Sequence, residues 1–398
     1  MRQSRALLAP ALALALASAA SLGLARFSYA LLLPPMRADL GWSYFTAGAM
    51  NTVNAAGYLL GALLLPRVFT RIDARRVLLA GGAGAALLLA AHGLVAADAP
   101  LFALRFATGL ASAASFVAGG LLAARLAASS EAHAGFGRRQ SGLVLGIYYG
   151  GTGLGIVVSA LLVPPLTARA APHAWQAAWI TLGAVAALAT VVTAVFTRAL
   201  TAPPGAGAST GRFAWQPFGF ALAGYFAFGL GYIGYMTFVV TLLREQGMGG
   251  AAIVGFYIIL GLGVIASSWL WAGLLQRFRG GQSLALLNGL LAVATGLPVL
   301  TVHPVAVFAS GALFGSVFLS VVASTTALVR HNLPPSAWAA GIAAFTIFFA
   351  TGQIVGPSLV GWVADGPGGL ERGFIVSALL LAAGALLAAR QRALALPA

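Results

Sequence analysis

The sequence predicts an all-α membrane protein whose twelve transmembrane helices form two six-helix bundles. The first observation behind this is composition. Sixty per cent of the 398 residues are AVILMFWYC, only 7% are charged, and the mean hydropathy is +0.95. A soluble domain carries about 25% charged residues to cover its wet surface. The second is arithmetic: at ~20 apolar residues per crossing, the apolar content supplies about twelve helices with short loops left over. The third is an internal repeat at a fixed, ungapped offset of 206 residues, described below.

Residue types that are missing exclude whole function classes. There is no Cys, which removes disulfide frameworks, thiolate metal sites and thiol nucleophiles. There is no Lys either, since all 22 basic residues are Arg. A Walker A loop needs its Lys on the nucleotide phosphates, so this chain encodes no ATP-driven pump. Schiff-base chemistry with retinal or pyridoxal phosphate falls on the same ground. No His cluster or buried carboxylate pair suggests an intramembrane enzyme, and no metal or cofactor is expected. The net charge of +15 is spread over loop after loop, as topology signals are, rather than gathered into a nucleic-acid patch.

Taken in order, the expected spans are 7–33, 44–66, 77–97, 101–124, 140–163 and 175–197, then 217–242, 250–274, 284–302, 305–329, 337–364 and 373–390. The opening Met1-Arg2-Gln3-Ser4-Arg5 and the Ala/Leu run after it imitate a signal peptide. The apolar stretch continues to Leu33, beyond the ~7–15 residues of an h-region, and reads as an uncleaved first helix. Gly and Pro within spans are tolerated in lipid. The longest connection, 198–216, carries the flexible composition Thr201-Ala-Pro-Pro-Gly-Ala-Gly-Ala-Ser-Thr-Gly211. It separates an N-terminal bundle, 1–197, from a C-terminal bundle, 217–398.

Arginine placement sets the expected orientation. With both termini inside, the cytoplasmic segments hold sixteen arginines: Arg2, Arg5, Arg67, Arg71, Arg75, Arg76, Arg125, Arg138, Arg139, Arg198, Arg212, Arg277, Arg279, Arg330, Arg390 and Arg392. The outer segments hold four, Arg37, Arg169, Arg244 and Arg372. The repeat then maps Gly23 to Gly229, Tyr29 to Tyr235, Asp39 to Glu245, Gly41 to Gly247, Gly57 to Gly263, Arg71 to Arg277, Gly109 to Gly315, Gly146 to Gly352 and Gly150 to Gly356. Parallel six-helix repeats related by an axis along the membrane normal are the plan of one large transporter class.

These features resemble the major facilitator superfamily. Arg105-Phe-Ala-Thr-Gly109 resembles its fourth-helix Arg-x-x-x-Gly motif. Gly146-x-x-x-Gly150-Gly151-x-Gly153-x-Gly155 resembles the fifth-helix antiporter motif, with Gly151 in place of its proline. Arg67…Arg71-Ile-Asp73-Ala-Arg75-Arg76 resembles the loop between helices 2 and 3, although Arg71, like Arg277 in the second half, stands where the family prefers Asp. The run from Gly23 through Arg26, Tyr29, Pro34, Pro35 and Arg37, with Asn54-Ala-Ala-Gly57-Tyr58-Leu-Leu-Gly61, closely resembles the YbfB/YjiJ subgroup. The resemblance implies a secondary transporter working by alternating access in a bacterial inner membrane, with helices 1, 4, 7 and 10 lining a central cavity.

Only Arg26 and Arg105 sit well inside spans. An ionised residue there costs ~2.5–3.5 kcal/mol on insertion scales and calls for a partner. Taken as regular helix, both lie ~9–10 Å outward of the bilayer centre. The seven acids, Asp39, Asp73, Asp98, Glu131, Glu245, Asp365 and Glu371, all fall in loops or at span ends. Two guanidinium groups without a nearby carboxylate favour an anionic ligand, which Arg grips with a bidentate fork. The alternative is that each bonds helix-end carbonyls or reaches Asp39 or Asp98.

At the repeat offset Tyr232 replaces Arg26 and Gly311 replaces Arg105, so a basic wall would face an aromatic one. Tyr29 and Tyr232, with Tyr235, Asn54, Tyr58 and Gln353, are further candidates for substrate contact, against helix-packing roles. Asn51, Asn54 and Tyr58 fall on one stripe of span 2, and Tyr225, Tyr232 and Tyr235 broadly on one face of span 7. Gly109, Gly146, Gly150, Gly155 and Pro357, with Arg71, Arg75 and Arg277, are assigned to conformational contacts. His92 is the one histidine inside a span and reads as interfacial rather than as a proton relay. The leading expectation is a monomeric carrier of a small organic anion. The alternative is a proton-driven exporter of amphipathic or aromatic compounds.

Overall fold

The structure is a computed structural model that describes residues 2–133, 139–168, 171–200 and 213–394. Among these residues all regular structure is helical. Twelve helices are long and apolar enough to cross a membrane: Leu7–Leu40, Tyr44–Phe69, Ala74–His92, Asp98–Ala128, Gly142–Thr167, Trp175–Phe196, Gln216–Glu245, Gly250–Arg277, Gln282–Leu300, Pro304–Asn332, Trp338–Ala364 and Gly369–Ala389. They are called spans 1 to 12 below. Arg138, Arg169, Arg212 and residues 201–212 of the expected linker lie outside the described residues.

Span boundaries depart from expectation where local chemistry differs from hydropathy. Span 1 does not stop at Pro34-Pro35 but runs through both prolines to Leu40. It ends where Gly41 adopts φ +66°, its N–H closing on the Arg37 carbonyl. Span 7 ends beside Gly247 at φ +82°, the position equivalent to Gly41 in the repeat. Both turns use the left-handed conformation that glycine adopts without a Cβ penalty. Span 3 starts earlier than hydropathy suggests because Asp73 caps it, its carboxylate accepting from the Arg75 N–H at 2.8 Å.

The chain divides into two compact units, Met1–Gly41 with Val53–Gly207, and Trp42–Thr52 with Ala208–Ala398. The start of span 2 therefore groups with the second unit rather than with residues 1–197. Its hydrogen bonds give the reason. The Tyr44 and Phe45 N–H groups donate to the Asp365 carboxylate at 2.8 and 2.9 Å, and the Tyr44 hydroxyl bonds Glu245. Two turns on, Thr52 donates to the Ile354 carbonyl at 2.6 Å, and Asn51 donates to Thr237 at 2.7 Å.

Within each unit the helices meet backbone to backbone at glycines, as expected where lipid gives no hydrophobic drive between helices. In the first unit, a Cβ on Gly57 would strike the Phe106 carbonyl and one on Gly109 the Asn54 carbonyl, so spans 2 and 4 touch directly. In the second, Gly263 faces the Ala312 carbonyl and Gly315 the Leu260 carbonyl, joining spans 8 and 10. Gly23 of span 1 faces Gly155 and the Thr152 carbonyl of span 5, while Gly229 of span 7 faces the Phe349 carbonyl and Gly352 of span 11. The glycines matched by the repeat thus make matched contacts.

Candidate functional site

Span 1 is not one regular helix. It is α-helical over Arg2–Ser18, π-helical over Ala19–Phe27 and α-helical again over Tyr29–Leu40. At the end of the π stretch the Ser28 N–H reaches back five residues to the Gly23 carbonyl at 3.0 Å. The face of the stretch turned to span 5 carries Gly23 against Gly155, and just before the stretch the Ser18 hydroxyl lies 2.9 Å from that of Thr152. Small residues at this contact let a widened helix stay close to its neighbour.

Arg26 sits in the last turn of this stretch and is 4% exposed. Among the described residues, its buried Nε and Nη2 atoms have no hydrogen-bond partner. These two atoms form the edge of the guanidinium that takes a carboxylate side-on. The Tyr58 ring of span 2 lies 5.8 Å from its Cζ.

Arg105 of span 4 is fully buried but engaged. Its Nη1 donates to the Ala25 carbonyl at 2.9 Å, and its Cζ lies 4.8 Å from the Tyr29 ring centroid and 5.7 Å from that of Trp179. Asn54 donates to the Arg105 backbone carbonyl at 3.0 Å, across the same contact that brings Gly109 against Asn54. Trp179 also stacks on His92 at 4.5 Å and donates to the Met36 sulfur at 3.4 Å. His92 is buried rather than interfacial, its Nδ1 2.7 Å from the Leu88 carbonyl. Among the described residues, Asp39 is bonded to the first residue of span 6 and to His173 just before it, rather than to either arginine. Its carboxylate takes the Trp175 indole N–H at 2.6 Å and the His173 ring and backbone nitrogens at 2.5 and 3.2 Å.

The first unit therefore brings together Arg26, Arg105, Tyr29, Asn54 and Tyr58 from spans 1, 2 and 4. Arg71 is exposed and lines a shallow hollow with Arg67, Val68, Thr70 and Ile72, apart from that group. Arg75 ties the start of span 3 to the end of span 6, donating to the Ala194 carbonyl at 2.7 Å and to Thr197 at 3.3 Å. Gly146, Gly150 and Gly155 are buried along span 5, where Gly155 also meets the Ala19 carbonyl.

In the second unit Gln353 donates to the Tyr232 hydroxyl. Tyr232 belongs to a stack with Phe228 at 4.6 Å, Phe349 at 5.6 Å and Phe318 at 6.0 Å, and Tyr225 continues it through Phe349 at 5.0 Å. Tyr235 does not share that face. It stacks on Phe314 at 3.9 Å, and its hydroxyl lies 2.7 Å from that of Ser310. Ten residues along an α-helix turn a side chain well away from the starting face. Pro357 is buried in span 11, with its carbonyl against Gly48. Arg277 is exposed, 5.5 Å from the Phe278 ring.

Three features of the candidate site have little signal in the sequence. The π stretch has no periodicity signal in a run of Ala, Leu and Gly. Trp179 was not singled out, although it lies one turn after Trp175 on span 6. Phe349 was passed over, although it stands one turn before Gln353 on the same helix.

Over residues 18–389 the sequence matches the family described as uncharacterised MFS-type transporter YbfB. No curated protein matches the chain. Among solved structures it is similar to the nucleoside transporter NupG, with a TM-score of 0.70 at 15% identity, covering 95% of this chain and 97% of that one. It is also similar to a bacterial homologue of the human lysosomal transporter Spinster, inward-facing and occupied, with a TM-score of 0.68 at 14% identity, covering 98% and 97%. Likeness at such identity shows the fold. The family match carries the assignment: the chain is a multi-pass membrane transporter and belongs to the YbfB family of the major facilitator superfamily.

Proposed function

We propose that the protein moves a small organic anion, most simply a carboxylate, across the bacterial cytoplasmic membrane by alternating access. The observation that carries this reading is Arg26, 4% exposed, with Nε and Nη2 unpartnered among the described residues. Leaving a buried charge unpaired costs several kcal/mol, and an acceptor with two oxygens removes that cost. Arg105 has less to offer a ligand, because Ala25 takes its Nη1. In this reading Arg26 is the principal ligand and Tyr58 lies beside the anion. Arg105, Tyr29 and Asn54 form the support behind it.

The surrounding assignments follow the same logic. The glycine contacts of Gly109, Gly146, Gly150 and Gly155, with Pro357, serve the conformational change, and Arg71, Arg75 and Arg277 fix the ends of the moving helices. Both termini and the linker face the cytoplasm, on the strength of sixteen arginines against four. One chain is the transporting unit.

A ligand stabilises the state it binds, so thermal shift of the purified protein is the direct test. Benzoate, citrate and phenylphosphonate are expected to raise the apparent Tm, whereas benzamide and benzylamine are not. Arg26→Gln should abolish the response. An equal shift in Arg26→Gln would sink the assignment.

The second unit supports one rival. The stack of Tyr225, Phe228, Tyr232, Phe318 and Phe349 suits an aromatic compound, which fits proton-driven export of amphipathic molecules. Resistance to toxic aromatics regardless of their charge, in cells expressing the protein, would favour it.

A further inference from the structure

Nine residues in π register, Ala19–Phe27, make a long run for a structure that usually appears as a single-turn bulge, often at functional sites. Such a run needs support where it rejoins the α-helix, because the change of register disturbs the pairing of the carbonyls there. Two successive carbonyls at this junction receive side-chain donors. Ser28 Oγ donates to Leu24 at 2.5 Å, and Arg105 Nη1 donates to Ala25 at 2.9 Å. The first donor belongs to the helix itself and moves with it. The second comes from span 4 and fixes the junction to the rest of the unit.

We propose that Arg105 is a positioning residue that holds Ala19–Phe27 in π register through its bond to the Ala25 carbonyl, and thereby keeps the Nε–Nη2 edge of Arg26 free for a ligand. Arg105 touches both sides of the junction: Ala25 near the end of the π stretch, and the ring of Tyr29, where the α-helix resumes. Its own backbone is tied to Asn54, and its guanidinium lies near Trp179, which is itself stacked on His92. The donor is therefore held on several sides. Reversion of span 1 to α register would pair the Ala25 carbonyl with the amide four residues on, displace Arg105 and rotate Arg26 about the helix axis. The two arginines thus divide the work. One is bonded to the backbone so that its neighbour is not.

This inference rests on Arg26 as the anion ligand, but its test uses a neutral probe and no substrate. The chain has no Cys, so single cysteines at Leu24, Ala25, Arg26 and Phe27 can be labelled with N-ethylmaleimide against no background. With Arg105 intact, the rates define which of the four positions is most reactive. Arg105→Met should move that maximum to an adjacent position, with rates at the two positions changing by about tenfold, the population change expected from losing one hydrogen bond to a charged group. Arg105→Lys, which keeps a charged donor, should retain the original pattern. Should the Met variant not accumulate, Arg105→Gln replaces it, its shorter amide falling short of Ala25, with the same displacement expected. An unchanged pattern without the donor, including no labelling anywhere in either protein, overturns the proposal and returns Arg105 to the role of a direct ligand or a packing group. If anions fail to stabilise the protein while the labelling maximum moves, the anion reading fails and the positioning role stands.

Discussion

Ala19–Phe27 of span 1 and Tyr225–Ile233 of span 7 occupy equivalent places in the 206-residue repeat, and they treat their polar residues in opposite ways. The first is a π-helix whose Arg26 has two buried nitrogens without partners among the described residues. The second is an uninterrupted α-helix whose Tyr232 is bonded to Gln353 and stacked among phenylalanines. Both segments pack through an equivalent glycine, Gly23 or Gly229, so the scaffold contact is shared and the chemistry is not. One repeat holds an unmet electrostatic demand, and the other has satisfied its own. Where the halves of a duplicated protein differ in this way, the unsatisfied side is the place to look for the ligand.

The largest expected effect breaks the comparison at its polar ends. Arg26→Gln should lower anion affinity roughly 100-fold, the loss of two charge-assisted hydrogen bonds. Tyr232→Phe should change it far less. Titration by thermal shift against benzoate checks both. Stability should move the other way. Arg26→Met replaces an unpaired buried charge by an apolar group of similar length, and should raise the apparent Tm of the ligand-free protein while erasing the anion response. A fall in Tm would mean that Arg26 makes a stabilising contact in the resting protein.

A middle-sized effect probes what the units share. Gly109→Ala and Gly315→Ala each drive a Cβ into a carbonyl, that of Asn54 or Leu260. Overpacking of this kind costs about 1–3 kcal/mol. Since the contacts are matched, the two losses in denaturant-induced unfolding should be of similar size. A cost confined to Gly109→Ala would show that the first unit's contact also supports the Arg105 backbone through Asn54, beyond simple helix packing.

The twelve spans were legible in the sequence because lipid imposes one rule on every helix: about twenty apolar residues with the backbone satisfied internally. The repeat was legible because close helix contacts tolerate only glycine, so Gly57, Gly109 and their partners mark themselves. Arg26 and Arg105 stood out by cost alone. Hydropathy could not tell them apart, since the difference lies in which carbonyl comes within 2.9 Å of one guanidinium and not of the other. The continuation of span 1 through Pro34-Pro35 was missed because proline reads as a stop in water. The π stretch carries no signal in the sequence: the side-chain donors at its end, Ser28 just past the run and Arg105 on another helix, meet its carbonyls only in the folded chain.

The smallest expected effect sharpens the comparison on its satisfied side. If Tyr232 and Gln353 are partners in a structural bond, each single change, Tyr232→Phe or Gln353→Leu, should destabilise the protein, and the double variant should cost less than the sum. Hydrogen bonds between membrane helices average about 0.6 kcal/mol and reach about 1.7 kcal/mol, because the unfolded chain in lipid also finds partners. The coupling in a double-mutant cycle should fall in that range. Tyr232→Phe keeps the ring, and with it the stacking on Phe228 and Phe349, so the cycle isolates the hydroxyl. No coupling between Tyr232 and Gln353 would mean that the two are not bonded partners, and would move the ligand to the aromatic stack of the second unit.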